Sequence, residues 1–161
     1  MTDTLVHRRV ASARRGENAT VVCRMESGWL VFGDRQVLPG YSILLPDPVV
    51  PHLNALGFES RSRFLTDMSI AGDAILEATD AIRINYAVLG NYEPALHAHI
   101  YPRYDWEPED KRSGPPLAYD WLEARAFDPS VDRPLMDDVA SAVEARGALR
   151  TGRDDRSEGR R

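Results

Sequence analysis

Cysteine is nearly missing from this chain: Cys23 is the only one among 161 residues. An intramolecular disulfide is thereby excluded, and a zinc site built on thiolates has too few ligands. Long hydrophobic runs are missing too. No stretch approaches the ~20 apolar residues that span a bilayer. The opening MTDTLVHRRVASARRGEN lacks the apolar core of a signal peptide, so a cytoplasmic location and no membrane partner are expected. Positive charge is not in excess, since 20 Lys and Arg stand against 25 Asp and Glu for a net −5. A nucleic-acid polymer or an anionic membrane would need the basic face this balance denies, so any phosphate recognition must be local. There is no glycine-rich P-loop, Cys-x-x-Cys pair or Gly-x-Ser-x-Gly elbow, which argues against nucleotide chemistry on a P-loop, dithiol redox and serine hydrolysis.

What is present is an ordinary globular composition, 43% hydrophobic and 28% charged. Residues 1–19 form an N-terminal segment in which 3–15 suit a short basic helix. TVVCRM (20–25), GWLVFGD (28–34) and Tyr41 to Leu45 are β-prone runs, separated by Ser27-Gly28 and Pro39-Gly40 turn signals. Over 60–79, Phe64, Leu65, Met68, Ala71, Ile75 and Leu76 recur at helical spacing, with Ser60 as a cap. AIRINYAVLG (81–90) returns to period two, and ALHAHIYPRY follows as its partner strand, ending at Pro102. Residues 105–149 form an extension in which 133–149 predict a C-terminal helix. The tail 150–161 is charged and poor in apolar residues, the composition of a disordered segment.

Half of the four histidines sit one residue apart, at His97 and His99. On a strand, alternate side chains share a face. His97 and His99 then lie side by side with Ala95 and Tyr101, while Leu96, Ala98 and Ile100 point to the core beneath the 60–79 helix. Two imidazoles on one face admit three readings. Surface decoration is the plainest. A metal site needs a third and usually a fourth ligand, and His7, His52 and Cys23 do not stand at ligand spacing. The remaining reading is nucleophilic: a neutral imidazole attacks phosphorus and splits one displacement into two, while a second imidazole steadies the charge that develops.

LGNYEPALHAHIYPRY, with RINY just before it, resembles the histidine-triad (HIT) superfamily, and among its members the bacterial proteins described as diadenosine-polyphosphate-hydrolase-like. There a Gly-Asn pair, a proline, Leu-His-x-His and Pro-Arg follow in this order. LVFGDRQVLPGYSILLPD is similar to the family's upstream nucleotide-binding strands, and the likeness spans about Val21 to Tyr104.

The resemblance implies a residue-by-residue assignment. His97 falls on the nucleophile that takes the nucleotidyl group, and His99 on the triad's last histidine, which contacts the phosphate. Asn91 and Asn85 fall on amide positions facing phosphate oxygens. Asp34 lies near the residue that holds the ribose hydroxyls, though a plain turn carboxylate fits as well. Phe32, with Val31 and Leu44, belongs either to the base pocket or simply to the core, and Arg103 either steers phosphates or forms an ion pair. Ala95 is the departure, because the full triad has its first histidine there. In the family the backbone carbonyl at this position orients the nucleophile, so alanine keeps that contact while opening space and removing a polar group.

The expected architecture is α+β with a HIT-like fold: an antiparallel sheet of about five strands, a long helix packed on one face and a C-terminal helix. The core is placed at 20–104. The resemblance further implies a homodimer and a nucleotide as substrate; no metal or other cofactor is expected, since the sequence holds no carboxylate cluster that would demand one. An enzyme that hydrolyses or transfers nucleotides competes with a nucleotide-binding scaffold that turns over little because of Ala95.

Overall fold

The computed structural model describes residues 3–150; from residue 151 onward the charged tail lies outside the described residues. Four helices, α1 (Leu5–Arg14), α2 (Phe58–Ala78), α3 (Glu109–Arg112) and α4 (Pro129–Ala145), surround five strands, β1 (Val21–Arg24), β2 (Gly28–Phe32), β3 (Ser42–Pro46), β4 (Arg83–Ala87) and β5 (Ala98–Arg103). The strands form one antiparallel sheet in the order β1-β2-β3-β5-β4, the α+β arrangement expected. The crossover from β3 to β4 is carried by α2, and it leaves β5 between β3 and β4.

Each sheet face has its own apolar layer. Leu30, Leu44, Leu96, Ala98 and Ile100 pack against Phe64, Ala71, Ala74 and Ile75 of α2 and Val139 and Val143 of α4. On the opposite face Val31, Leu45 and Ala95 meet Val6 and Val10 of α1. Cys23 of β1 packs at the margin of the first layer, where burial and then the nearby Asp67 carboxylate push its thiol pKa up to about 12. Carboxylates fasten helices to the sheet, one of them, Asp67, buried. Asp67 of α2 accepts from the Ser27 backbone N–H at 2.7 Å and its hydroxyl at 2.6 Å in the β1–β2 turn. Asp47, just past β3, accepts from the Trp29 indole at 3.0 Å and from Arg14 at the end of α1.

Three boundaries differ from the sequence reading. Helix α2 starts at Phe58, with Gly57 as its N-cap and Glu59 in the first turn; that carboxylate favours the positive end of the helix, so Ser60 lies inside. Helix α4 starts at Pro129, four residues before 133. Asp128 caps it by accepting from Ser130 N–H, and Asp132 reaches back to Asp128 N–H at 2.8 Å, a stronger start than Pro134 offers. Strand β5 begins only at Ala98, because Leu96 N–H is drawn to the Val50 carbonyl at 2.8 Å. It then runs through Pro102 to Arg103, past the last pairing with β3 at Ile100. The Pro39-Gly40 turn forms as expected. Gly40 takes a φ of +84°, and Tyr41 N–H closes the turn on the Leu38 carbonyl.

Candidate active site

A cleft of about 370 Å³ opens on the sheet face covered by α1. Its walls are Leu5, Val6 and Arg9 of α1, Ile43 and Leu45 of β3, the segment Leu89 to Glu93, and His97 and His99. The lining surface is mostly apolar, with a few polar groups gathered around the two imidazoles, the usual make-up of a small-molecule site.

Strand register explains the gathering. Ile43 pairs with His99, so both project to the face occupied by α1. His97 lies one step before the strand and is 8% exposed. Its Nδ1 donates to the Ala95 carbonyl at 2.8 Å. A carbonyl only accepts, so the proton is fixed on Nδ1 and the lone pair on Nε2. The two imidazole centroids are 4.8 Å apart and nearly perpendicular. His99 Nδ1 lies 2.6 Å from the Tyr41 hydroxyl. Its ring belongs to a stack with Tyr41 and Tyr101 at 6.0 and 5.6 Å. Burial, and then the proximity of His97, push the His99 pKa down to about 4.

This has a consequence for stability. The unfolded chain protonates His99 near ~6.5, whereas the folded chain holds it neutral down to about 4. Between those values the unfolded state binds the extra proton, so stability should rise with pH, by an amount on the order of 2–3 kcal/mol. Urea midpoints measured from pH 4.5 to 7 should climb across this window, and in His99→Gln the increment near pH 6 should vanish. A midpoint unaffected by that substitution would show that His99 is not held neutral.

Ala95 is 1% exposed. The space that the missing imidazole was expected to open is filled by Val6, Val10, Val31 and Leu45. The first-histidine position has therefore become part of the apolar seam under α1, while its carbonyl keeps the contact with His97.

Of the other residues singled out in the sequence, Asn91 lines the cleft and is exposed. Asp34 stands at its edge, exposed but ion-paired with the cleft residue Arg9. Phe32 is fully buried. It shares strand parity with Leu30, so it offers no surface to a base; Leu44 lies in the same layer. Val31 packs under α1 and is buried. Asn85 and Arg103 do share the histidine face, since Asn85 pairs with Tyr101. They bond to each other at 2.8 Å. Arg103 is 5% exposed and its guanidinium is consumed by Glu107 and by the carbonyls of Lys111, Arg112 and Gly114. Of its two readings the ion pair holds, because no donor is left to reach a phosphate.

Sequence reading missed much of the lining, the α1 residues and Glu93 above all. Leu5, Val6 and Arg9 come from a helix that precedes the stretch carrying the resemblance. Glu93 lines the cleft beside His97, and its Oε2 accepts the Leu5 N–H at 3.3 Å at the start of α1. Burial opposes its ionisation, but the Thr4 hydroxyl and the first amides of α1 outweigh it and keep its pKa below the usual carboxylate value. The signal for Glu93 was weak, a lone carboxylate four residues before His97. As to metals, no three His, Cys, Asp or Glu side chains converge among the described residues. His7 bonds to Thr4, the N-cap of α1, and His52 is exposed ahead of α2. No helix among the described residues is long and apolar enough to cross a membrane.

No family model matches the sequence, and no curated protein sequence matches it. Solved structures match in fold. A histidine triad protein from Marinobacter aquaeolei VT8 superposes with a TM-score of 0.70 at 20% identity, over 88% of this chain and 97% of that one. A histidine triad protein from Sinorhizobium meliloti 1021 gives 0.67 at 19%, over 80% and 93%. A hypothetical histidine triad nucleotide-binding protein from Sulfolobus tokodaii strain7 gives 0.67 at 14%, over 86% and 92%. The chain has the histidine triad fold.

Proposed function

We propose that this protein is a nucleotide hydrolase or nucleotidyl transferase working through a covalent nucleotidyl-His97 intermediate, with a dinucleoside polyphosphate or a related nucleotide ester or amidate as substrate. One observation carries the reading: His97 lines the cleft with its proton fixed on Nδ1 by the Ala95 carbonyl, so its reactive lone pair is on Nε2. In the first step Nε2 attacks the α-phosphorus in line. The P–N bond forms as the bond to the leaving oxygen breaks, and that oxygen departs with the remaining phosphates, taking up a proton from solvent or as it leaves the site. The Ala95 carbonyl steadies the positive charge that the substituted imidazole acquires. Water, or another hydroxyl acceptor, then attacks phosphorus, loses its proton and frees His97. Asn91 and the His99 ring would stabilise the equatorial oxygens.

The competing reading, a nucleotide-binding scaffold with little turnover, draws on Ala95. The retained carbonyl weighs against it, since orientation of the nucleophile needs the backbone and not the missing side chain. Incubation with diadenosine tetraphosphate in ¹⁸O-water decides between them. The expected products are adenosine triphosphate without label and adenosine monophosphate carrying one ¹⁸O, because water enters at the α-phosphorus. Binding without products would establish the scaffold. A homodimer is also part of the proposal. β4 is an edge of the sheet, and Ile82, Tyr86, Val88 and Leu89 expose apolar surface along it, the kind of edge that pairing covers. Sedimentation equilibrium giving the monomer mass would remove it.

A further inference from the structure

We infer that Tyr41 is a positioning residue that sets the tautomer of His99, its hydroxyl donating to Nδ1 so that the ring proton stands on Nε2, the nitrogen left for the cleft. The nucleotidyl-transfer reading is needed only to say what that N–H meets; the hydrogen bond stands without it.

The direction of the bond follows from chemistry. A buried phenol must place its proton on an acceptor, and the oxygen lies 2.6 Å from His99 Nδ1. An imidazole nitrogen is a better acceptor than the neighbouring Tyr101 phenol oxygen. Burial raises the Tyr41 pKa far above the phenol's ordinary value, so it remains a donor throughout the working range. With Nδ1 accepting, the neutral ring carries its proton on Nε2. His99 then presents an uncharged N–H toward the groove where an equatorial phosphate oxygen would develop charge, with no reorientation at the moment of reaction.

The structure around Tyr41 is built to hold this contact. Its ring, 4% exposed, is stacked on Tyr101 at 4.8 Å with 7° between the planes, and the edge of Trp121 closes it at 5.1 Å. Gly33 makes the room: a Cβ there would stand 2.2 Å from Tyr41 Cε1. The Tyr41 carbonyl accepts from Gly33 N–H and from Gln36 Nε2, both at 3.0 Å. Trp121 belongs to the extension after the core, and that extension is tied down beside it. Gln36 N–H bonds to the Arg125 carbonyl, and Phe127 N–H to the Asp34 carbonyl, each at 2.8 Å. The segment 121–127 thus meets the stack beside His99 through Trp121, which packs on Tyr41 and, at 6.0 Å, on Tyr101 of β5.

The test is ¹⁵N-resolved NMR of the histidine side chains with Tyr41→Phe, which keeps the ring and its packing. In the wild type His99 should show a hydrogen-bonded, unprotonated Nδ1 and a protonated Nε2. In Tyr41→Phe the Nδ1 resonance should move to the free, unbonded position. Turnover of diadenosine tetraphosphate should fall about tenfold in kcat with KM little changed, less than the roughly 100-fold or more that loss of the donor in His99→Ala should cost. In a His99→Gln background, where a side-chain amide supplies an N–H without any tautomer, Tyr41→Phe should cost nothing further. A wild-type spectrum with the proton on Nδ1, or a Tyr41→Phe spectrum identical to the wild type, would overturn the inference. So would an equal cost of Tyr41→Phe in the His99→Gln background. Should no nucleotide be turned over by any form, the nucleotidyl-transfer reading fails, and the spectra still decide the role of Tyr41.

Discussion

Replacing His97 by alanine is expected to lower kcat for dinucleoside polyphosphate cleavage by at least about 10³-fold, the scale on which removal of a covalent nucleophile acts. Nucleotide affinity should change little. The cleft walls, Leu5, Val6, Ile43 and Leu45 from α1 and β3 and the loop around Asn91, do not depend on the imidazole. The fold should survive, because the substitution deletes one side-chain hydrogen bond, to the Ala95 carbonyl, a loss of about 1 kcal/mol. Calorimetric titration with a non-hydrolysable nucleotide alongside steady-state rates separates the two effects. Undiminished turnover in the alanine variant would sink the nucleophile assignment.

Arg103→Ala is expected to destabilise the fold by about 3–5 kcal/mol, the range for removing one partner of a buried ion pair. The guanidinium gives Nε and Nη2 to Glu107, Nη1 to Asn85 and Gly114, and Nη2 also to Lys111 and Arg112, at 2.8–3.1 Å. Without it the Glu107 carboxylate, whose side chain has no exposure at all, keeps only the Tyr119 hydroxyl and the Tyr104 N–H, and the loop carbonyls lose their donor. Lysine should not rescue, since an ammonium cannot occupy a planar fork. Urea unfolding measures the loss. The pair Arg103→Met with Glu107→Leu should be closer to wild type than Arg103→Ala alone, because no charge is then left buried. Intact stability with weakened nucleotide binding would instead revive a phosphate-steering role for Arg103.

Element existence was largely readable from periodicity, because the sheet face under α2 and α4 is a closed apolar layer while the α1 face is covered only in part and opens into the cleft, so apolar residues recur at strand and helix spacing. Leu96, Ala98 and Ile100 fell under α2 as alternation requires. Parity was available for Phe32 and Leu44 as well. Of the two readings open for them, base pocket or core, parity selects the core, because odd-numbered Val31 and Ile43 own the histidine face of β2 and β3. Arg103 was ambiguous for a different reason. Whether a guanidinium is spent internally depends on Glu107 and on three loop carbonyls whose approach no local pattern encodes. The cleft's outer wall escaped notice because α1 is remote in sequence from the histidines and reads locally as a basic helix. Its Val6 and Val10 acquire meaning only beside Ala95, where they take the volume an imidazole would need. A small residue at that position and apolar residues on α1 are one packing solution written in two distant places.

The masked thiol of Cys23 makes the molecule convenient to label. Burial holds its pKa near 12, so far less of it is thiolate at neutral pH than of an ordinary cysteine. Maleimides and iodoacetamides are therefore expected to react slowly with the native sequence. A cysteine installed at Tyr92, which stands fully exposed on the cleft rim, becomes the single point of attachment for a fluorophore, and cleft occupancy can be followed by its emission with no background mutation.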